Sequence, residues 1–269
     1  MNNTAPSTTL GLQLARRLHR ALTAGKEELF RLVDDPSMEV VSALLRNPAL
    51  DANHLLALLK RRDLTEDLVK EVARLGQAGE SHEVKVALVR NPATPGGIMT
   101  TLLPHLYLFE LVNISLLPGV TPDQKVAAER AILQRLPTTP LGNKLTLARR
   151  GTAAIVEALV MEGDPRLMEA CLDSPRLKES AVFRLLTGAK ASAETVSMVA
   201  RHPRWKGRTN LQLAILRNAR TPAVWFTLLL PQLNLADVKG LLGSPRLTTP
   251  QKKLVEEELR RRGQGRKGR

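Results

Sequence analysis

Apolar positions along the chain recur at helical spacing. Val41, Leu44 and Leu45 fall on one face of a helix, and so do Leu55, Leu58 and Leu59. After a cap at Thr65, the series Leu68, Val69, Val72 and Leu75 continues the pattern. Spacings of i, i+3, i+4 and i+7 give an amphipathic helix one stripe to bury against its neighbours. The segment Leu10–Val33, with Leu12, Leu14, Leu18, Leu22, Leu29 and Phe30, reads as an N-terminal capping helix or helix pair. A last helix is expected from about Pro250 to Arg262. Residues 1–9 and the basic run 263–269 read as disordered ends.

Between the apolar runs stands a recurring punctuation: Arg-Asn-Pro or a relative, often followed by Thr-Pro. It occurs in ALLRNPAL from Ala43, ALVRNPATP from Ala87, AILRNARTP from Ala214 and GLLGSPRLTTP from Gly240, with looser forms from Ala170 and Met198. Asn tolerates the left-handed conformation that ends many helices. Arg in a last turn complements the helix dipole, and Pro cannot continue the helix. Thr is a good N-cap and Pro fits the first helical position. The marks therefore divide the chain into helix–turn–helix units. Thr121 and Gln124 also have the spacing of a capping box.

A longer period overlies this one. Arg90, Asn91, Thr94, Pro95, Thr100, Leu102, Leu103, Pro104, Leu106 and Leu108 all return 127 positions later, and Pro48 and Pro118 return as Pro175 and Pro245. Past those prolines, a one-residue gap would align Thr121-Pro122 with Thr249-Pro250. The expected organisation is an all-α solenoid of helical hairpins in tandem duplication. Its copies would span residues 34–140 and 141–262, behind a cap at 10–33.

The turn Asn91–Pro95 and, in part, Asn218–Pro222 resemble the leucine-rich repeat variant family, a helical solenoid; the helical-pair pattern is similar to HEAT-like repeats over about residues 31–262. The resemblance implies a fold rather than an activity. Unit lengths here are irregular, and the iron–sulfur cysteines of some family members have no counterpart.

Composition fits helices: 43 % of residues are hydrophobic but only 3 % aromatic. With Cys171 the only cysteine, no intramolecular disulfide can form, which suits a reducing compartment. Residues 1–9 carry no leader pattern. The most apolar stretch, Leu102–Val120, is broken by Pro104, His105, Glu110 and Pro118 and fails as a membrane span. A cytoplasmic location is expected.

No catalytic or cofactor-binding motif is read in the chain. His19, His54, His82, His105 and His202 show no metal-ligand spacing. Neither lysine-containing glycine segment, near Lys26 or Lys190, has the phosphate-loop form. Cys171 reads as a buried structural thiol.

Charge is the remaining signal. The net charge of +14 is distributed as +2 over residues 1–30, −1 over 31–140, +10 over 141–262 and +3 over 263–269. Such asymmetry implies an acidic protein or nucleic-acid partner. The candidate polyanion site is Arg201, Arg204, Trp205, Lys206, Arg208, Arg217 and Arg220. At the positions 127 earlier, Arg204, Trp205, Lys206, Arg208 and Arg220 are replaced by Gln77, Ala78, Gly79, Ser81 and Ala93, so these five read as dispensable to the fold. Cations around an aromatic can hold phosphates and stack a base. The expected function is a non-enzymatic binding scaffold. Alternatives are a nucleic-acid binder acting on the phosphate backbone and, by architecture alone, a HEAT-like DNA glycosylase using Trp205 with Glu194 or Asp237.

Overall fold

A computed structural model describes residues 6–265. Among them are nineteen α-helices, three short 3-10 turns and no strand. No helix is long and apolar enough to cross a membrane. The chain divides into two compact units, residues 1–134 and 135–269.

The first unit contains α1 (Pro6–Thr23), α2 (Lys26–Leu32), α3 (Met38–Leu44), α4 (Ala52–Leu58), α5 (Glu66–Arg74), α6 (Gly76–Glu80), α7 (His82–Arg90), α8 (Gly96–Leu102), α9 (Leu108–Leu116) and α10 (Pro122–Arg135). Residues 6–9, expected to be irregular, belong to α1; residues 1–5 lie outside the described part. Helices pack on the neighbour next but one, α1 on α3, α2 on α4, α3 on α5 and α7 on α9, and α4 packs on α7 past the short α6. The apolar stripes meet in a core where Leu44, Leu55, Leu58 and Leu88 are fully enclosed. Each such leucine contributes about 2 kcal/mol by leaving water.

The second unit contains α11 (Leu141–Arg150), α12 (Ala153–Val160), α13 (Pro165–Asp173), α14 (Glu179–Thr187), α15 (Ala193–Arg201), α16 (Thr209–Leu216), α17 (Ala223–Leu229), α18 (Leu235–Leu242) and α19 (Thr249–Gly265). Residues 263–265, expected to belong to a flexible tail, lie in α19; the rest of that expected tail, 266–269, lies outside the described part. Within this unit α11 packs on α13, α12 on α14, α13 on α15, α14 on α16 and α17 on α19.

The helices of the two units start at matching places. Lys26, Met38, Ala52, Glu66, His82, Gly96, Leu108 and Pro122 open helices, and so does each residue 127 positions later. The match includes the first two helices: α1 ends at Thr23 and α11 at Arg150, and α2 corresponds to α12. An ion pair recurs there as well, Arg17 with Asp35 (2.9 Å) and Lys144 with Glu162 (2.8 Å). Residues 10–33 lie within the first of the two compact units. The expected gap near Pro245 is also corrected. Thr121 and Gln124 form one capping box, and its counterpart is Thr248 with Gln251, not Thr249. The offset stays at 127 to the last helix.

The turn residues do different work from that expected. Positive φ occurs only at Gly119 and Gly163 among the described residues, so no asparagine is left-handed. Asn91 instead buries its side chain. Its amide donates to the carbonyls of Leu59 (3.0 Å) and Arg61 (2.9 Å), and its oxygen accepts the N–H of Ala93 (3.0 Å). Asn47 does the same for Ala21, Ala24 and Ala49. Asn218 reaches Leu186 and accepts from Arg220. Each staple closes the C-terminal end of an earlier helix. At the position matching Asn47 stands Ser174, whose buried hydroxyl has no partner among the described residues.

Thr-Pro forms the expected cap at Thr121-Pro122, where the Thr121 hydroxyl accepts the Gln124 N–H, and departs from it at three other places. Pro95, Pro140 and Pro222 sit at the N-cap position itself, one residue before the helix. The threonine hydroxyls turn backwards: Thr94 donates to Leu88, Thr139 to Arg135 and Thr221 to Ile215, closing the preceding helix. Caps of the expected kind come from Asp51, Thr65, Ser81, Thr152, Asp164, Ser192 and Asn234.

Asn91→Ala removes both donors from two helix-end carbonyls. Buried acceptors left unpaired cost about 1–3 kcal/mol, so urea denaturation of this variant is expected to show a loss of about 2–3 kcal/mol. A loss under about 0.5 kcal/mol, the range of inert surface changes, would refute the stapling role.

Candidate polyanion-binding site

The seven candidate residues are not brought together. Arg201, Arg204, Trp205, Lys206 and Arg208 lie at the connection from α15 to α16, and Arg217 and Arg220 lie at the far end of α16. Eight helical residues separate these ends by about 12 Å.

Their chemistry also differs from the expected cluster. Trp205 is only 3 % exposed, and its Nε1–H donates to the Leu172 carbonyl (3.1 Å). Its ring cannot stack on a base without unfolding the turn. Arg204 lies over that ring at 4.3 Å and donates to the carbonyls of Ser174 (2.6 Å) and Leu177 (2.9 Å). Gln77 in the first unit donates to Leu50, the residue matching Leu177, at 2.8 Å. Glutamine and arginine thus do one job in the two units. Arg220 binds the carbonyls of Ala189 (3.0 Å) and Ala191 (2.7 Å). The inference that the unshared residues are dispensable to the fold therefore fails for Arg204, Trp205 and Arg220. Arg208 faces Glu179 at 3.9 Å. Arg201, Lys206 and Arg217 are exposed and carry no ion pair among the described residues.

The DNA glycosylase reading loses its stacking residue with the burial of Trp205. Glu194 stands in the first turn of α15, at the opposite end of that helix from Trp205. Asp237 accepts from the Asn234 amide (2.7 Å) and serves a helix start. Cys171 is fully buried, and desolvation, helped by the Glu162 charge, pushes its thiol up to about 12. A thiol so held stays protonated and is a poor nucleophile. His54 is buried and bonds the Lys26 carbonyl (2.9 Å), His82 meets Glu110 (2.9 Å) and His202 meets Asp173 (3.0 Å). Among the described residues no group of three or more His, Cys, Asp or Glu is placed to hold a metal ion.

A different basic surface emerges from the packing. The C-terminal ends of α11, α13 and α15 adjoin. Arg149 shares a cleft of about 480 Å³ with Asp173, Ser174 and Pro175, while His202 bonds Asp173, the last residue of α13, and Arg204 bonds the carbonyls of Ser174 and Leu177 beyond it. Along this edge Arg149 and Arg150 precede Arg176 and Lys178, and then Arg201, Lys206 and Arg208, all exposed. The acidic groups along it are Asp173, bonded to His202, Glu179, facing Arg208, and Glu169, exposed in the cleft beside Arg149 and Arg166. The positions 127 earlier hold Leu22, Thr23, Ala49, Asp51, Arg74, Gly79 and Ser81, so only one cation of the row has a basic counterpart. Residues 149–178 escaped the sequence reading because they join the row through parallel packing of alternate helices. A sequence signal exists in retrospect: basic residues at the ends of successive odd-numbered helices.

Comparison with family models, curated proteins and solved structures gives no match, and the site rests on its own geometry.

Arg204→Ala is expected to destabilise the protein by about 1.5–3 kcal/mol, the range for hydrogen bonds from a charged group. Arg204→Gln should retain about half of that, as Gln77 does the same work, and Lys206→Ala should stay within about 0.5 kcal/mol of wild type. Equal stability of the three variants in urea would contradict a structural Arg204.

Proposed function

We propose that the chain is an α-solenoid built by tandem duplication, and that it works as a non-enzymatic scaffold binding nucleic acid through the phosphate backbone. The recurring helix starts, the matched capping boxes and the packing of helices on their next-but-one neighbours support the repeat reading. The resemblance of the Asn-Pro-x-Thr-Pro turn to leucine-rich repeat variant and HEAT-like proteins supports the same reading.

One observation carries the choice of partner: the row of cations at the ends of α11, α13 and α15, which the first unit lacks. Protein interfaces centre on apolar and aromatic side chains. Surfaces that hold nucleic acid are polar and strongly positive. Around this row the one large aromatic, Trp205, is buried, and the exposed groups are Arg and Lys. The chemistry favours phosphate contacts without base reading, hence affinity that falls steeply with salt.

The test is binding of labelled duplex and single-stranded DNA across a salt series. The variant Arg149→Ala/Arg176→Ala/Lys206→Ala removes exposed cations that bond nothing else in the described fold. It should weaken binding and flatten the salt dependence by roughly 0.7–0.9 for each phosphate no longer neutralised. The control Lys190→Ala/Arg217→Ala/Lys239→Ala should bind as wild type. No binding at about 100 mM salt, where phosphate-driven complexes still persist, or equal loss in both variants, would overturn the assignment.

A further inference from the structure

A second surface, in the first unit, differs in kind from the basic edge. A groove of about 850 Å³ runs along α7, between α4 and α9. The three helices run in one direction. Asn91, after the end of α7, bonds the carbonyls that follow α4, and His82 at the start of α7 bonds Glu110 in the first turn of α9. The groove therefore has two defined ends, about 13 Å apart over the nine residues of α7.

The ends carry opposite charge. Lys60 and Arg90 are exposed at the end where α4 and α7 stop, beside Arg62. At the other end Glu83 is exposed, and its carboxyl is held below the usual range by its own backbone N–H and the Ser81 hydroxyl. The Tyr107 ring, 68 % exposed, packs on His82 there, with ring centres 4.5 Å apart. Between the ends the floor is apolar: Leu56, Leu59, Val86 and Ala87.

The floor and Arg90 are shared with the second unit, where Phe183, Leu186, Leu213 and Ala214 are still apolar and Arg217 is still basic, whereas Lys60, Glu83, His82 and Tyr107 become Thr187, Asn210, Thr209 and Asn234. Arg62 does have a packing duty, a bond to the Gly119 carbonyl. In the second unit Arg246 fulfils that duty by bonding Thr187. Among the described residues Lys60, Arg90 and Glu83 have no such bond to the rest of the fold; Glu83 meets Ser81 at its own helix start.

We propose that this groove docks an amphipathic helix of a partner protein, antiparallel to α7. Its apolar residues at i, i+3 or i+4 and i+7 would cover the floor, its acidic first turn would meet Lys60 and Arg90, and its basic last turn would meet Glu83. A straight apolar trough between parallel helices has the shape a further helix fills. Acidic residues favour the start of a helix and basic ones its end, so a partner matching the charged ends also opposes its dipole to that of α7. A nucleic-acid backbone fits poorly, since it would set phosphates against Glu83. The proposal is independent of the basic edge in the second unit.

The probes are two fluorescein-labelled sixteen-residue helical peptides sharing one Leu/Ala face, one with Glu in the first turn and Lys in the last, the other with these exchanged. The first is expected to bind wild type about tenfold more tightly, since charge complementarity chiefly sets orientation and specificity. In the variant Lys60→Glu/Glu83→Lys/Arg90→Glu the preference should invert, with unchanged circular dichroism and unchanged DNA binding. No binding of either peptide to wild type, or the same preference in wild type and variant, would overturn the proposal. Loss of DNA binding in this variant alone would count against the edge assignment and not against the groove.

Discussion

A helix leaves four N–H groups at its start and four C=O groups at its end without partners inside it. In this protein helices of seven to nine residues predominate, so end groups are as numerous as internal bonds, and closing them is the constraint on which the architecture depends. Side chains 23–33 residues downstream supply the closure. Asn47 serves Ala21 and Ala24, Gln77 serves Leu50, Asn91 serves Leu59 and Arg61, and Gln124 in turn serves Asn91. In the second unit Arg204, Asn218 and Gln251 do the same. Each hairpin is thus closed by the next, and apolar stacking and polar closure select the same register.

That economy explains how much of the fold could be read from the sequence. The apolar period located helices, and the recurring turn marks and the offset of 127 located their repetition. The reasons assigned to the turn residues failed because those residues act at a distance. Asn91 suits a left-handed turn by type, yet it sits at φ −76° and spends its amide on another hairpin. Trp205 in a run of basic residues reads as a binding aromatic, but burial and a bond to Leu172 explain it. Comparing the units by residue identity hid the equivalence of Gln77 and Arg204, which differ in charge and share a hydrogen-bond target. The groove along α7 was invisible for another reason: its lining comes from residues 56 to 117, on helices brought together only by packing.

The same scaffold carries two unlike surfaces once structural duties are subtracted. Cations that close helix ends, such as Arg61, Arg204, Arg220 and Arg262, are committed to backbone carbonyls. Among those left over are a row at the ends of α11, α13 and α15 and the basic end of the groove beside α7. Net charge alone does not separate the two. Charge minus its structural engagements does, and it is the basis for proposing a phosphate-bearing partner at one surface and an amphipathic helix at the other.

The claim that inter-hairpin staples hold the fold is tested most directly by native-state hydrogen exchange at the turn amides of Ala49, Ala93 and Arg220. Each donates to the side-chain oxygen of a stapling asparagine, at 2.8, 3.0 and 2.8 Å. The account predicts that these amides, although in turns, exchange as slowly as the helices their asparagines close and open with the same free energy. Exchange at the rate of ordinary exposed loops would contradict it.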